Sequence, residues 1–294
     1  MAVTGSGTIS LSDIQTEFGG SNPIGMNEYY KDGAYVTDNN AGIPTSGGVD
    51  MADFYGTELL QPYQTRDLLG DGSGKFLYTL ANTPTEANGG GTLVAFAGSG
   101  SFGYSTDTPS SKISHSFNHL TNGRSLRTTA SGAGNGDRTF TLSMWIKTAG
   151  TNPDSFTICQ FDNGSNNHNH NYFGKANHGN NVGVFPRNSS GGAGFRMMST
   201  GATNNLCNNT WQHWMITTNN SSSSTHFYID NVLQGGTTTR EGYTTGPETK
   251  QAFIIGARVD GNSSARRNFK ICQVRCFNKV LSSSERSTVY NELL

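Results

Sequence analysis

The chain has little of what membranes, nucleic acids and long helices require. Only 33% of its 294 residues are hydrophobic and 14% are charged, and no apolar run approaches the ~20 residues that cross a bilayer. The formal net charge is −1, which leaves no excess of basic residues to neutralise phosphates by counterion release. Residues 1–20 lack the basic start and apolar centre of a signal peptide. We therefore expect no membrane association, no export signal and no nucleic-acid partner.

Cysteine is also scarce, with four residues, Cys159, Cys207, Cys272 and Cys276. On a strand, Cys272 and Cys276 would lie about 13 Å apart, whereas a disulfide needs Cα atoms within ~7 Å. The spacings contain no Cys-x-x-Cys hook of a structural zinc site. We expect buried, reduced thiols, which suits assembly in a reducing cytoplasm.

Turn-forming residues, by contrast, are abundant. The chain has 38 glycines and long stretches of serine, threonine and asparagine, which is typical of many short strands joined by turns. Apolar and polar residues alternate along several runs, and the longest places four side chains on one buried face of a strand: Phe140, Leu142, Met144 and Ile146. Such runs predict two packed antiparallel sheets.

Residues 1–58 contain an internal echo. The segment ISLSDI at 9–14 is similar in pattern to VDMADF at 49–54. Each copy pairs a capping residue with an acid three positions later, Ser10 with Asp13 and Asp50 with Asp53, as at the start of a helix. Two short capped helices are predicted. Because so short a segment has little core of its own, we expect it to pack on a partner.

The two half-motifs, ISLSDIQTEFGG at 9–20 and IPTSG at 43–47 before MADFYG at 51–56, resemble a module found at the start of many virion proteins of marine tailed phages. The resemblance implies a structural or appendage subunit of a tailed-phage virion, a fibre or decoration protein, assembled in the host cytoplasm. Residues 1–58 would dock onto other virion proteins. A homo-oligomer is expected, and a trimer would suit a fibre by analogy. A tail fibre, a collar and the capsid surface all stay open as locations.

The later segments resemble, in order, the laminin-G-like branch of the concanavalin A-like fold. The resemblance is carried by FTLSMWIKT at 140–148, WQHWMIT at 211–217, FYID at 227–230 and a closing pair at 253–256 and 271–277. It implies an all-β, concanavalin A-like antiparallel sandwich, or jelly roll, over residues 59–294. Near the end, Ser282 and Glu285 predict a capped helix that runs to Leu294. Because this fold hosts lectins, hydrolases and inert spacers, it leaves function open.

A glycoside hydrolase needs two carboxylates held close together, and the hydrolase branch of this fold carries them as Glu-x-Asp-x-Glu on one strand. Here Glu241, Glu248 and Glu285 are isolated, and Asp230 lies at a turn. We therefore predict no catalytic residue and expect a protein that is not an enzyme. The alternative to a purely structural role is calcium-assisted carbohydrate binding for host attachment, with a host-surface glycan as partner.

Three residues are candidates for carbohydrate binding. Trp145 points away from the buried face of its strand and could stack on a sugar ring, although coverage by the segment around residues 66–126 is the simpler interpretation. Arg266 and Arg267 form a local basic pair that could contact an acidic glycan or a neighbouring subunit, although a solvated loop is the simpler interpretation.

Metal binding is predicted only for oxygen-rich turns. Calcium could be held at Asp162, Asn163, Asp260 and Asn262, since carboxylate, amide and carbonyl oxygens suit that ion, although turn formation alone also explains these residues. His168 and His170 could bind a transition metal together with His178, but a solvated hairpin is the simpler interpretation.

Overall fold

A computed structural model gives the structure of the chain. It describes residues 3–31, 35–36, 42–57, 65–80, 92–96, 103–120, 124–128, 139–148, 156–162, 171–175, 182–186, 195–199, 208–218, 226–234, 236–240, 252–257 and 268–294. For 171–175, 182–186, 195–199 and 236–240, and for residues 156, 157, 160 and 162, it describes the backbone alone. The chain divides into two units, Met1–Tyr63 and Gln64–Leu294, a boundary slightly later than the one placed at residue 58 from the sequence.

The first unit contains three short helical segments: α1 at Leu11–Phe18 and 3₁₀ helices at Met26–Glu28 and Met51–Phe54. The Ser10 hydroxyl accepts the Asp13 amide at 3.2 Å, and the Asp13 carboxylate accepts the Ser10 amide at 2.7 Å. On the second half-motif, the Asp50 carboxylate accepts the Ala52 amide at 2.7 Å, and the Asp53 carboxylate accepts the Asp50 amide at 2.9 Å. Both predicted capped segments are confirmed, the second as a single 3₁₀ turn.

The core of the first unit is small and aromatic. Phe18, Tyr29 and Phe54 are buried, and the Phe54 ring meets each of the other two edge-on with ring centroids 6.1 Å apart. The Tyr29 hydroxyl donates to the Gly19 carbonyl at 2.8 Å, which ties the core to the end of α1. The remaining buried apolar residues here are Val3, Ile14, Val36 and Ile43.

The second unit is built almost entirely of short strands, as the composition predicts. The described strands are β1 Gly74–Tyr78, β2 Leu93–Phe96, β3 Gly103–Ser105, β4 Ser116–His119, β5 Ser125–Thr128, β6 Phe140–Thr148, β7 Phe156–Asp162, β8 Asn171–Lys175, β9 Val182–Pro186, β10 Phe195–Ser199, β11 Trp211–Thr218, β12 His226–Ile229, β13 Val232–Leu233, β14 Gly236–Arg240, β15 Ala252–Ile255 and β16 Phe269–Phe277. One helix, α2 at Ser283–Asn291, follows the last strand.

These strands form two large sheets in which every described pairing is antiparallel. One sheet has eight strands in the order β13-β12-β11-β6-β16-β4-β3, with β1 paired to the later half of β16. The other has six strands in the order β2-β5-β15-β7-β8-β9, and β10 pairs with β14 separately. The predicted all-β fold with two antiparallel sheets is confirmed.

The main core lies between the two large sheets. Phe140, Leu142, Met144 and Ile146 all project into it from β6, so the predicted orientation of this strand is confirmed. The opposite sheet contributes Phe161 and Phe253, whose ring centroids are 5.0 Å apart. Burial of so many large apolar side chains is the main stabilising contribution to such a sandwich.

The outer face of the eight-stranded sheet is partly covered by α2. Leu281 and Val289 pack against Met215, Tyr228 and Phe277 from three different strands. The helix begins at a capping box of Ser282 with Glu285, as predicted. In the described part of the chain, no helix is long and apolar enough to span a membrane.

Cysteine placement agrees with the sequence as far as the structure describes it. Cys159, Cys272 and Cys276 are buried and form no disulfide, and burial raises the pKa of the Cys159 and Cys272 thiols. Cys207 lies outside the described residues.

Candidate functional site

A partly exposed polar row crosses the outer face of the eight-stranded sheet. Trp211 on β11 and Lys270 on β16 both pair in register with Lys147 on β6. Strand alternation explains their direction, because the adjacent residues Ile146 and Ile271 are in the core between the sheets. We call these three residues, together with Asp107, the basic row.

Asp107, which follows β3, holds the basic row together. Its Oδ2 atom accepts from Lys147 Nζ at 2.8 Å and from Lys270 Nζ at 2.5 Å. Its Oδ1 atom accepts from the indole Nε1 of Trp211 at 2.9 Å. The Asp107 carbonyl also accepts from the Ser116 hydroxyl at 2.7 Å, so the loop that carries the carboxylate is itself fixed to β4.

The basic row carries one positive charge in excess. Burial alone would raise the pKa of Asp107, but hydrogen bonds from Lys147, Lys270 and Trp211 outweigh it and hold that pKa well below its ordinary value. One carboxylate therefore balances only one of two ammonium groups. The side chains of Asp107, Lys147 and Lys270 are 33%, 20% and 26% exposed, so solvent and ligands reach them.

A second polar cluster lies on the same face but is buried. Ser143 Oγ and His213 Nε2 are 2.8 Å apart, which is the spacing of a nucleophile and its base. Both residues have no exposed surface, and burial, with a smaller effect of Arg275, lowers the pKa of His213 to about 3. An imidazole with so low a pKa is a weak base, and a substrate cannot reach a serine with no exposed surface, so this pair is structural.

An ion pair beside this cluster is also fully buried. Arg275 Nε donates to Glu292 Oε1 at 3.0 Å, and Arg275 Nη2 lies 2.6 Å from Glu292 Oε2. The two side chains are 0% and 1% exposed. A bulge in β16 at Gln273, whose φ is +50°, turns Arg275 toward this face. The pair anchors the residue after α2 to the sheet.

Trp145, a predicted sugar-binding residue, lies beneath α2. Its side chain points away from the main core, as the alternation predicts, but it is 4% exposed and stacks on Tyr290 with ring centroids 6.0 Å apart. His213 flanks it on the sheet at 5.2 Å. In this arrangement no ring face is open to a sugar, and Tyr290 of α2 is a residue that covers the indole.

Most of the other predicted site residues lie outside the described part of the chain. These are the basic pair Arg266 and Arg267, the calcium candidates Asn163, Asp260 and Asn262, and the histidines His168, His170 and His178. Asp162 is the last residue of β7, where its backbone pairs with Ala252. Among the described residues, no group of three or more His, Cys, Asp and Glu side chains is placed to hold a metal.

The basic row could not be predicted from the sequence, because Asp107 lies far along the chain from the three residues that it contacts. Alternation alone places Lys147 outward on its strand, and the same rule places Trp211 and Lys270. Asp107, however, lies 104 residues before Trp211 and 163 before Lys270, and no local pattern links a loop aspartate to three separate strands.

Comparison with known proteins agrees with this architecture. The family model of the concanavalin A-like lectin/glucanases superfamily matches residues 120–285. The chain belongs to this superfamily. The predicted concanavalin A-like fold is thereby confirmed, and the basic row lies on the outer face of a concanavalin A-like sandwich. The search of curated proteins finds no match.

Solved structures with a similar fold are distant in sequence. Domain 4 of AbnA, a GH43 extracellular arabinanase from Geobacillus stearothermophilus solved with arabinotriose, is 15% identical with a TM-score of 0.53, over 75% of this chain and 98% of that one. Botulinum neurotoxin type C, in a structure concerning two ganglioside molecules, is 17% identical with a TM-score of 0.53, over 74% of this chain. The binding domain of botulinum neurotoxin DC in complex with SialylT is 18% identical with a TM-score of 0.53, over 76% of this chain. The present chain spans about half of each neurotoxin chain, 51% and 52%. Such likenesses establish the fold of the concanavalin A-like domain and leave its ligand open.

Proposed function

We propose that this protein is a non-enzymatic structural or appendage subunit of a tailed-phage virion, a fibre or decoration protein that displays a lectin-like sandwich. It would assemble in the host cytoplasm, dock through residues 1–58 and form a homo-oligomer, for which a trimer is the simplest fibre arrangement. The observation that carries the proposal is the first unit, in which two capped half-motifs surround a very small core.

The size of that core supports docking. Seven apolar residues are buried among the described residues of this unit. Its own stabilisation is small, because short chains bury a small fraction of their surface on folding. Packing against another virion protein would add buried area. The capping boxes fix the start of each half-motif and so present the segment in one conformation to such a partner.

Deletion of residues 1–63 tests the docking role directly. The remaining chain retains the sandwich unit and all three tryptophans, so its folding can be verified by tryptophan emission. We expect the truncated protein to be folded and absent from purified particles, whereas the full chain is incorporated. Incorporation of the truncated protein at the normal level would place docking in the sandwich instead.

Two carboxylates that share one lysine, Asp71 and Glu285, are unsuited to the role of a glycosidase acid. Asp71 and Glu285 both contact Lys279 Nζ, and hydrogen bonds from Lys279 hold the pKa of both carboxyls below their ordinary values. A glycosidase acid needs a raised pKa so that it can donate a proton at neutral pH. We therefore expect no reducing ends to be released from host polysaccharides, and their release would contradict the non-enzymatic proposal.

The second candidate function is calcium-assisted carbohydrate binding for host attachment. The carbohydrate-binding part of this function is favoured by the basic row, where an indole and two ammonium groups are partly exposed on a lectin-like fold. Proteins with a similar fold were solved with arabinotriose and SialylT or concern interaction with ganglioside molecules, which makes glycans the ligand class to test. A glycan array read with calcium and with chelator distinguishes this function from a purely structural one, since an inert spacer retains no glycan.

A further inference from the structure

We propose that the basic row binds the anionic group of an acidic glycan, a carboxylate or a sulfate ester, with the Trp211 indole against the neighbouring sugar ring. The proposal rests on the carbohydrate-binding function above and is independent of virion docking.

The chemistry of the basic row selects an anionic ligand because the groups left free are donors. Each lysine ammonium has three N–H donors and no acceptor, and Asp107 accepts one hydrogen bond from each. Among the described residues, neither ammonium contacts another acceptor. A ligand must therefore bring its own acceptors, and a carboxylate or sulfate supplies several together with the compensating charge.

Asp107 has little acceptor capacity left for the hydroxyls of a neutral sugar, because three of the about four lone pairs of its carboxylate are already used. Its Oδ2 accepts from both lysines and its Oδ1 from Trp211, whereas recognition of neutral sugar hydroxyls needs acceptors as well as donors. The carboxylate instead positions two like charges side by side, which would otherwise repel each other. A structural ion pair needs one cation for one anion, and the second lysine leaves a charge that an anionic ligand can neutralise.

Trp211 contributes a ring in a fixed orientation. Since its Nε1 is bonded to Asp107, the indole offers a ligand only its apolar surface, and an amphipathic ring of this kind suits one face of a sugar. Trp211 remains partly exposed, in contrast to Trp145 one row away, which is 4% exposed beneath Tyr290. The helix thus covers the neighbouring row and leaves the basic row accessible.

Binding of the full chain to three polysaccharides tests the proposal. Dextran sulfate and polygalacturonate carry the two kinds of anionic group, and dextran is the neutral control. We expect binding to both acidic polymers, weakening as salt increases, and none to dextran. The double variant K147Q/K270Q should bind the acidic polymers at least about tenfold more weakly, as expected for the loss of charge-assisted hydrogen bonds.

Two further variants make the outcome independent of folding. Because K147Q/K270Q leaves Asp107 without a cation, the triple variant K147Q/K270Q/D107N removes the lysines and the carboxylate together, and its fold is verified by tryptophan emission. The matched control is Lys75→Gln, which replaces an exposed lysine on β1 outside the basic row. Like the triple variant, it lowers the net charge of the chain by one, and it should bind like the wild type.

Each outcome decides the proposal. Acidic polymers bound equally by wild type and triple variant would place any glycan site elsewhere and overturn the assignment of the row, while the glycan-binding function stands. An equal loss in Lys75→Gln would mean unspecific charge attraction and overturn it as well. If the wild type binds no acidic polymer but retains other glycans on an array, only the assignment fails; if it retains none, the carbohydrate-binding function fails with it.

Discussion

Glu292→Gln is the substitution that examines most directly how α2 is held on the sheet. It replaces the carboxylate that faces Arg275 with a neutral amide of nearly the same shape. The side chains of Arg275 and Glu292 are 0% and 1% exposed, so water cannot replace the lost charge. Arg275 keeps a hydrogen bond to the Thr65 carbonyl, which satisfies one donor but does not neutralise the guanidinium.

The expected loss is large for a single isosteric change. Removing one partner of a buried ion pair costs about 3–5 kcal/mol, because the other charge stays buried without that counter-charge. The total free energy of unfolding of a domain is about 5–15 kcal/mol. Replacing both residues, as in Arg275→Met with Glu292→Leu, should recover most of the loss, since an apolar pair of similar volume carries no desolvation penalty.

Urea unfolding followed by tryptophan emission measures the effect on the sandwich alone. Trp145, Trp211 and Trp214 are the three tryptophans of the chain, and all lie in the second unit. Asp71→Asn is the matched control, because it also replaces a carboxylate by an amide but in the exposed pair with Lys279, where we expect little change. A loss for Glu292→Gln no larger than that of Asp71→Asn would refute the argument.

Three further predictions concern the sandwich. Leu142→Ala should lower the free energy of unfolding by about 2–5 kcal/mol, because it truncates a core side chain. Lys147→Ala should lower it by about 1 kcal/mol or less, because its ion pair is partly exposed. Equal losses in urea titrations would contradict the orientation of β6. Because the pKa of His213 is about 3 when folded and ~6.5 when unfolded, its stabilising contribution is complete above about pH 6.5 and is lost as pH falls toward 3, by about 2 kcal/mol at pH 5. Stability curves of wild type and His213→Gln should therefore converge on acidification, and parallel curves would exclude this role. Asp107→Asn should lower the melting temperature at low salt and less at high salt, whereas an unchanged value at low salt would show that the carboxylate does not hold the lysines.

Local patterns were sufficient to predict much of the fold. Alternation placed Leu142 in the core and Trp145 on the opposite face, and the structure agrees. Capping spacing located the start of α1 at Ser10 and of α2 at Ser282. These features are predictable because each depends on residues within a few positions of one another, where geometry follows directly from backbone periodicity.

What covers each face could not be predicted in this way. Alternation predicts that Trp145 faces outward, but it does not predict whether solvent, a loop or a helix contacts the indole. That contact is made by Tyr290, which is far away in the sequence. The bulge at Gln273 changes which residues of β16 face outward, and a strict alternation rule misplaces Arg275 in consequence. The carboxylate of Asp107 reaches three strands from a loop, a contact fixed by the tertiary arrangement alone.

The outer face of the eight-stranded sheet therefore divides into two parts with different chemistry. Beneath α2, the charges are matched: Arg275 is balanced by Glu292, and the imidazole of His213 is neutral beside Ser143. Such matching is required where water is excluded, because an uncompensated charge there is destabilising. Beyond the helix, Lys147 and Lys270 share a single carboxylate, an imbalance that only an accessible position tolerates. The residues beneath α2 thus contribute to the stability of the sandwich. The excess positive charge of the basic row lies where a ligand can reach it.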